Sequence, residues 1–287
     1  MKKIIKIALS FMFLLVSFSL LGCVSPYTYD NANSYAVGGS ELSSAQTVNE
    51  LEVDWVSGSV EIKHGNVDTI TFSESSSNLT DSYKLRYKIE NGTLVIKFCA
   101  SGADSAKVGE KSLVITIPND TRLNEVSLNV VSAEITVSSL KANELDVESV
   151  SGVITATDCK INNAEIESVS GNVSVSGEIV TIDVNTVSGE IECNVSTLRE
   201  VEIESVSGNV EITPVGSMPL CLEVVTVSGN VRLNLSPADF SVKFTTVSGV
   251  FSSEYPTTID ANVYTYGDAT NLFEVETISG NLRIYEI

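Results

Sequence analysis

The amino-acid sequence predicts an all-β fold, a single-domain β-solenoid with coils of about 19–21 residues and an N-terminal antiparallel β-meander as its cap. Three observations support this prediction. A Val-Ser-Gly motif recurs at nearly constant spacing, apolar residues alternate with period two around each motif, and helical periodicity is nearly absent. Together they indicate short stacked strands, because so short a repeat leaves little room for a helix.

Residues 1–22 have the composition of a secretion signal. Three lysines precede an apolar run, Ile7 to Leu21, which is short for a membrane span, and "LLGC" ends the run at Cys23. The pattern resembles bacterial lipoprotein signals, and this resemblance implies cleavage before Cys23 and attachment of lipid to it. An ordinary signal peptide or a short anchor helix is the alternative. We therefore expect an extracytoplasmic protein, lipid-anchored to the cell membrane at the bacterial surface.

The charge of the chain restricts its partners. The sequence has 17 basic and 37 acidic side chains, and removal of the three signal lysines leaves 14 − 37 = −23. A protein with this negative charge repels nucleic acid and anionic lipid headgroups. Attachment to the membrane must therefore depend on the lipid and not on a basic patch. We expect no nucleic-acid partner.

A polar segment links the anchor to the folded domain. Residues 24–48 are rich in Ser, Asn, Gly and Tyr and show neither helical nor strand periodicity. We interpret residues 23–47 as the lipidated cysteine and a flexible tether, and residues 48–287 as one domain.

Residues 66–118 interrupt the repeat and predict the meander. The runs "TITF", "KLRYKI", "TLVIKF" and "SLVITI" have strand character, and Asn91-Gly92 lies between two of them as a tight hairpin turn. A solenoid needs such an end, since an uncovered terminal coil exposes a sheet edge.

The repeat coils occupy residues 119–287. Apolar residues recur six and four positions before the motif serines and, in most units, three and five positions after them. Each unit is therefore two short strands joined at a corner, where Gly permits unusual backbone angles. Sequential stacking would pair each strand with its equivalent one coil away. From Ser132 onward the intervals are 19, 19, 18, 19, 21, 20 and 31 residues, and the motif serines are Ser57, Ser132, Ser151, Ser170, Ser188, Ser207, Ser228, Ser248 and Ser279.

Several of these stretches, in this order, resemble one known family. The run "ELEVDWVSGSVEI", the meander with "IENGTLVIKF", the "VSG" coils and the closing "YTYGDATNLFEVETISGNLRI" are similar to the bacterial domain family labelled "putative adhesin". The resemblance covers roughly residues 48 to 287. It implies a β-solenoid in the cell envelope and supplies no catalytic residues.

The outward positions of the first strand carry the candidate ligand face. Acidic residues recur five and three positions before the motif serines, so stacking would align them in two columns that attract cations. The ligand would be a divalent cation, a cationic peptide, a cell-wall polymer or a surface protein; alternatively, the face only keeps the protein soluble. The sequence has no ordered calcium loop and predicts neither cofactor nor metal centre. The candidate residues are Asp146, Glu148, Glu165, Glu167, Asp183, Glu202, Glu204 and Glu223.

Other reactive residues give no catalytic pattern. His64 is the only histidine, and the motif serines lack the "GxSxG" elbow of a hydrolase nucleophile. Cys193 occupies a core position, and we expect the four cysteines after Cys23 to be free thiols. Aromatic residues in the 31-residue interval indicate an end cap or, alternatively, a sugar-binding platform.

Three functional hypotheses follow from these patterns. We favour a non-enzymatic, adhesin-like module that binds or senses at the envelope. The alternatives are an inert envelope spacer and a polysaccharide-cleaving β-helix enzyme, although one acid per coil is unlike a singular catalytic pair.

Overall fold

The computed structural model describes residues 26–38, 47–196, 199–269 and 271–287. They fall into two compact units, an N-terminal unit that ends at Ile161 and a C-terminal unit that begins at Asn162. Nearly every element is a β-strand, which confirms the predicted all-β class. The signal region and Cys23 lie outside the described residues.

Within residues 26–38 and 47–161, the N-terminal unit contains one 3₁₀ turn, one short helix and nine strands, the last of which continues past its boundary. Their bounds are Ala32–Ser34 (3₁₀), Ala36–Val37 (β1), Glu50–Gly65 (β2), Thr71–Ser75 (β3), Arg86–Glu90 (β4), Thr93–Lys97 (β5), Ser105–Val108 (α1), Lys111–Pro118 (β6), Leu123–Ser138 (β7), Lys141–Ser151 (β8) and Ile154–Ser170 (β9).

The coils of this unit do not stack in sequence order. Strands β5 and β6 pair in parallel with β2, and β7 pairs in parallel with the same strand, so that Leu51 aligns with both Leu94 and Val126. The coil made by β5 and β6, which we call the N-terminal outer coil, therefore lies outside a coil that precedes it in the chain. Strictly sequential stacking is wrong here.

The antiparallel strands predicted for the meander are present, but they form two separate pairs and not one continuous meander. Strand β3 pairs antiparallel with β6, and β4 pairs antiparallel with β5. Asn91 and Gly92 both have positive φ, 53° and 89°, as a two-residue type I′ hairpin turn requires. The antiparallel strands thus cover the outer coil, while β5 and β6 also extend the parallel stack.

The C-terminal unit consists of strands joined by corners and short loops. After the end of β9 they are Val173–Ser188 (β10), Ile191–Ser196 (β11), Glu200–Ser207 (β12), Val210–Val215 (β13), Cys221–Ser228 (β14), Val231–Leu235 (β15), Phe240–Thr246 (β16), Phe251–Ser253 (β17), Thr258–Asp260 (β18), Val263–Tyr266 (β19), Leu272–Ser279 (β20) and Leu282–Glu286 (β21).

This unit also departs from sequential stacking. Strand β20 lies between β14 and β16, and β21 lies between β15 and β17, in parallel register on both edges. The C-terminal outer coil is therefore β16 and β17, although β20 and β21 follow it in the chain. The 31-residue interval makes this possible, because it contains the hairpin of β18 and β19 that turns back over β16.

Close approach of the coils explains why Ser-Gly recurs at the corners. A Cβ atom added to Gly208 would lie 2.0 Å from the carbonyl oxygen of Gly189 in the neighbouring coil, so only glycine fits. The preceding serine ties the same corner, since Ser207 Oγ donates a hydrogen bond to the Val187 carbonyl at 3.4 Å. At this corner, Ser207 and Gly208 thus allow one coil to stack closely on the next.

A column of buried hydroxyls lies just inside the corner of the C-terminal unit. These residues stand two positions before the motif serine, on the inward side by the strand period. Thr186 Oγ1 donates to Ser205 Oγ at 3.2 Å. The buried members of the column are Ser168, Thr186, Ser205, Thr226 and Thr277.

The structure differs from the tether predicted for residues 23–47. Within residues 26–38, the Tyr27 amide donates to the Ala103 carbonyl at 2.9 Å and the Gly102 amide donates to the Tyr27 carbonyl at 2.7 Å. Strand β1 then pairs antiparallel with β4. This segment packs on the N-terminal unit because its tyrosines supply apolar surface that a count of polar residues overlooks.

Candidate functional site

The predicted acidic face is an aligned column of carboxylates in the C-terminal unit. Asp183 is in register with Glu202, Glu202 with Glu223, and Glu223 with Glu274, on four successive parallel strands. Neighbouring strands lie about 4.8 Å apart, so each carboxylate stands next to another. We call Glu165, Asp183, Glu202, Glu223 and Glu274 the acidic column.

Asp183 reports the electrostatic cost of this arrangement. Its half-buried carboxyl accepts a hydrogen bond from Asn185 Nδ2 at 2.9 Å. Burial first, and then the negative charges of Glu202 and Glu165, raise the pKa of Asp183 to about 6, while the Asn185 hydrogen bond opposes the shift. Strands β9 and β10 pair, and Glu165 and Asp183 both stand five positions before their motif serines, so Glu165 belongs to the same column.

The second predicted column is less continuous. Two positions along the strands, Asn185 is in register with Glu204, and Glu204 with Val225. Val225 is 1% exposed, so it interrupts the charge at this level. Glu167 is half-buried on β9.

The N-terminal unit contains the remaining predicted residues. Asp146 is in register with Ser127, and Glu148 with Asn129. Polar but uncharged side chains therefore stand beside Asp146 and Glu148, and the columns of this unit carry a lower density of charge than the C-terminal column.

Lysines from the two outer coils neutralise acids in their own units. In the N-terminal unit, Lys97 Nζ lies 2.8 Å from Glu52 and also contacts the Asp54 carboxylate. In the C-terminal unit, Lys243 Nζ lies 3.2 Å from Glu274. The acidic column thus carries a cationic neighbour at the outer coil.

One group of acids was not predicted from the sequence. Glu50, Glu125 and Glu144 align on β2, β7 and β8, seven positions before the motif serines. Burial, followed by the charge of Glu144 and Glu50, raises the pKa of Glu125. An acidic residue seven positions before the motif serine could have indicated this group. The pattern occurs in the N-terminal coils but is absent from most later ones.

His64 and the cysteines have structural surroundings. The His64 ring contacts the Pro118 carbonyl through Nδ1 at 2.8 Å, and Nε2 accepts from the Lys141 amide at 3.3 Å, so backbone groups engage both nitrogens. Burial lowers the pKa of His64. The four cysteines within the described ranges are free: Cys99, Cys159 and Cys193 are buried, and Cys221 is exposed.

Aromatic residues of the 31-residue interval close the C-terminal outer coil. Tyr255 is buried, donates its hydroxyl to the Leu235 carbonyl at 2.7 Å, and packs edge-on against Phe240 with ring centroids 5.4 Å apart. Phe251 and Tyr264 stack at 3.6 Å. These contacts favour the end cap over a sugar-binding platform at these rings.

The aligned carboxylates can attract cations without forming a closed metal site. Across residues 26–38, 47–196, 199–269 and 271–287, no group of three or more His, Cys, Asp or Glu has a geometry suited to holding a metal ion. No helix in the same ranges is long and apolar enough to span a membrane. The acidic column presents its negative charge along four successive strands.

The chain matches one family model over most of its length. The model is described as Toastrack DUF4097, and the match covers residues 48–285. It confirms the extent of the family resemblance, which the sequence motifs placed at roughly residues 48 to 287. No curated protein matches the chain significantly.

Several solved structures are similar at low identity. A "putative cell adhesion protein" from Clostridium sporogenes is 17% identical, with 88% of this chain and 99% of that chain covered and a TM-score of 0.31. A "putative adhesin" from Bacteroides fragilis is 14% identical, with 84% and 93% covered and a TM-score of 0.49. A "putative lipid binding protein" from Parabacteroides distasonis is 16% identical, with 84% and 93% covered and a TM-score of 0.44.

Proposed function

The chain belongs to the Toastrack DUF4097 family, and from this premise we propose that it is a non-enzymatic, adhesin-like binding module held outside the cytoplasm by lipid on Cys23. Its cationic ligand, a basic peptide or the basic surface of another envelope protein, lies along the acidic column. The lipid holds the protein at the membrane, while the negatively charged body remains available to the ligand.

The aligned carboxylates carry this proposal. Four successive parallel strands place Asp183, Glu202, Glu223 and Glu274 side by side, and like charges directly opposite one another destabilise a sheet. A cationic ligand that binds the folded form relieves this repulsion and stabilises it. The raised pKa of Asp183 supports the same account, because it reports both burial and the neighbouring charges.

The non-enzymatic assignment rests on how the reactive groups are used. Acids recur one per coil, whereas glycosidase chemistry needs a distinct pair with separated roles. Backbone groups engage both nitrogens of His64. Five motif serines donate to backbone carbonyl groups at the corners: Ser57, Ser132, Ser151, Ser188 and Ser207.

Binding to an octalysine peptide tests the ligand assignment. We expect Glu165→Gln/Asp183→Asn/Glu202→Gln to weaken binding at least tenfold, because it removes three adjacent charges. The control Glu190→Gln/Asp260→Asn/Glu286→Gln changes the net charge equally at exposed positions of the same unit and should retain most of the affinity. Calorimetry at fixed ionic strength measures both. Equal losses in the two variants would refute the column as the site.

Fatty-acid labelling tests the anchor separately. Cys23→Ala should abolish the label and release the protein from membranes, because the acidic body has little affinity of its own for anionic lipid. Membrane retention without label in the wild-type protein would contradict the lipoprotein assignment while leaving the ligand assignment intact.

A further inference from the structure

Two arginines lie side by side on neighbouring strands of the C-terminal unit, β15 and β21. Residues 162–287 contain 18 acidic and four basic side chains, a net charge of 4 − 18 = −14. Two of the four basic residues, Arg232 and Arg283, are directly opposite each other on β15 and β21. Like charges in this position destabilise a sheet. In so acidic a unit, the pairing calls for a compensating negative group.

The structure compensates only one of the two arginines. The Arg232 guanidinium lies over the Tyr285 ring, 4.5 Å from its centroid, and 3.9 Å from the Glu211 carboxylate. That carboxylate also accepts a hydrogen bond from Asn234 Nδ2 at 2.8 Å. Arg283 is exposed, and the described residues provide it with neither an ion pair nor a hydrogen bond. Its five donors are therefore available to a ligand.

Arg283 lies in a groove of about 560 Å³ at the edge of the C-terminal outer coil. Two polar groups of this groove are held by backbone amides: Glu254 accepts from the Glu286 amide at 3.0 Å, and Asn281 Oδ1 accepts from the Val250 amide at 2.9 Å. The polar residues that line the groove are Ser252, Ser253, Glu254, Asn281, Arg283 and Tyr285. The groove thus combines one cationic fork with hydroxyl, amide and carboxylate groups suited to neutral hydroxyls.

We propose that this groove binds a sugar that carries a single oxyanion, either a carboxylate or a phosphate monoester. Arg283 holds the oxyanion by charge-assisted hydrogen bonds, and Arg232 adds a second positive charge next to it. Glu254 and the serines contact neutral hydroxyls. The unit's charge of −14 repels polyanions, so the groove selects an isolated anionic group. This site is independent of the acidic column and of lipid attachment.

Titration with D-glucuronate tests the proposal on the full chain, by calorimetry or by chemical shifts. Arg283→Gln removes the cationic fork and should weaken binding at least tenfold, the loss expected for one charge-assisted hydrogen bond. Arg199→Gln is the matched control, because Arg199 is an exposed arginine of the same unit and does not line the groove. It should bind as the wild type does.

Ser252→Trp supplies a second test without a change of charge. Ser252 is in register with Arg283 and lines the groove, so a large ring there should block the ligand while the melting temperature stays near that of the wild type. Wild-type affinity in Ser252→Trp, or equal losses in the two arginine variants, would overturn the site.

Three further probes test the sugar and the oxyanion separately. Glucose 1-phosphate should bind through the same residues, and glucose, which lacks the oxyanion, should bind at least tenfold more weakly. Glucose that binds as well as glucuronate would overturn the proposal. Inorganic phosphate that competes fully, at the affinity of the sugar phosphate, would overturn the sugar part of the assignment and establish a simple anion site.

Discussion

The two outer coils solve the same topological problem with opposite chemistry. In the chain, each outer coil lies between two coils that pair directly with each other, β2 with β7 in one unit and β14–β15 with β20–β21 in the other. Each outer coil is also covered by antiparallel strands, β3 and β4 in one unit and β19 in the other. The N-terminal outer coil encloses a charged side chain, Lys111. The C-terminal outer coil encloses aromatic rings, including Phe240 and Tyr255.

Lys111 requires several partners because its side chain is fully buried. Its ammonium contacts the Glu74 carboxylate and the Phe98 carbonyl, donates to the Tyr83 carbonyl at 2.9 Å, and lies 4.8 Å from the centroid of the Trp55 ring. Burial lowers the pKa of Lys111, although the Glu74 interaction opposes the shift. The aromatic cap needs only a partner for the Tyr255 hydroxyl. An end cap can therefore be closed by either chemistry, but the two should respond differently to substitution.

Substitution of Lys111 should have the largest effect. Lys111→Met keeps the length of the side chain but leaves Glu74 buried without its cation, and loss of one partner from a buried pair costs about 3–5 kcal/mol. Denaturant unfolding measures the change. The control is Lys243→Met in the other outer coil, where the ion pair with Glu274 is partly exposed and contributes at most about 1 kcal/mol. Similar costs for both substitutions would contradict the contrast between the caps.

The aromatic cap should lose less when its polar group is removed. Tyr255→Phe keeps the ring packing but leaves the Leu235 carbonyl without its buried donor, at a cost of about 1–2 kcal/mol. Tyr266→Phe is the matched control, since the Tyr266 ring belongs to the same cluster. If Tyr255→Phe leaves the free energy of unfolding unchanged, packing alone closes this cap.

The smallest expected effect is a change in how stability depends on pH, which we attribute to the titration of Asp183 in the acidic column. Because the folded state raises the pKa of Asp183 from 3.8 to about 6, protonation favours folding. Its contribution is present below pH 3.8 and is lost as the pH rises through about 6. Asp183→Asn should flatten this part of the profile of melting temperature against pH, whereas Asp260→Asn, at an exposed position, should not. Parallel profiles for wild type and Asp183→Asn would show that Asp183 does not titrate in this way.

The sequence predicts the local architecture better than the order of the coils. Period-two patterning placed Val210 and Ile212 in the core, and both are buried. The same period puts Thr186 on the inward side, but a polar residue was not expected in the core; Thr186 is buried. The order of the coils was not predicted. Parallel pairing depends on which strand edges are unpaired, and the coils have such similar sequences that any of them could pair with any other.

The candidate sites show the same division. The acidic column followed from repeat spacing, because register converts equal positions into neighbours. The groove lined by Arg283 could not be predicted from repeat spacing. Arg232 and Arg283 are 51 positions apart in the sequence and become adjacent only through the insertion of β20 and β21. Spacing alone predicts contacts between consecutive repeats and fails where the chain skips one.

The insertion of β20 and β21 also fixes an order of assembly during synthesis. Strands β16 and β17 emerge from the ribosome before the strands that connect them to β14 and β15, so they have no native parallel partner until residues 272–286 are available. Until then, the edges of β14–β15 and of β16–β17 are both unpaired. The entropy cost of closing the loop between them must be met before the new strand contacts can stabilise the unit. Synthesis from the N-terminus therefore leaves the edges of β14 and β16 exposed until β20 and β21 are available to insert between them.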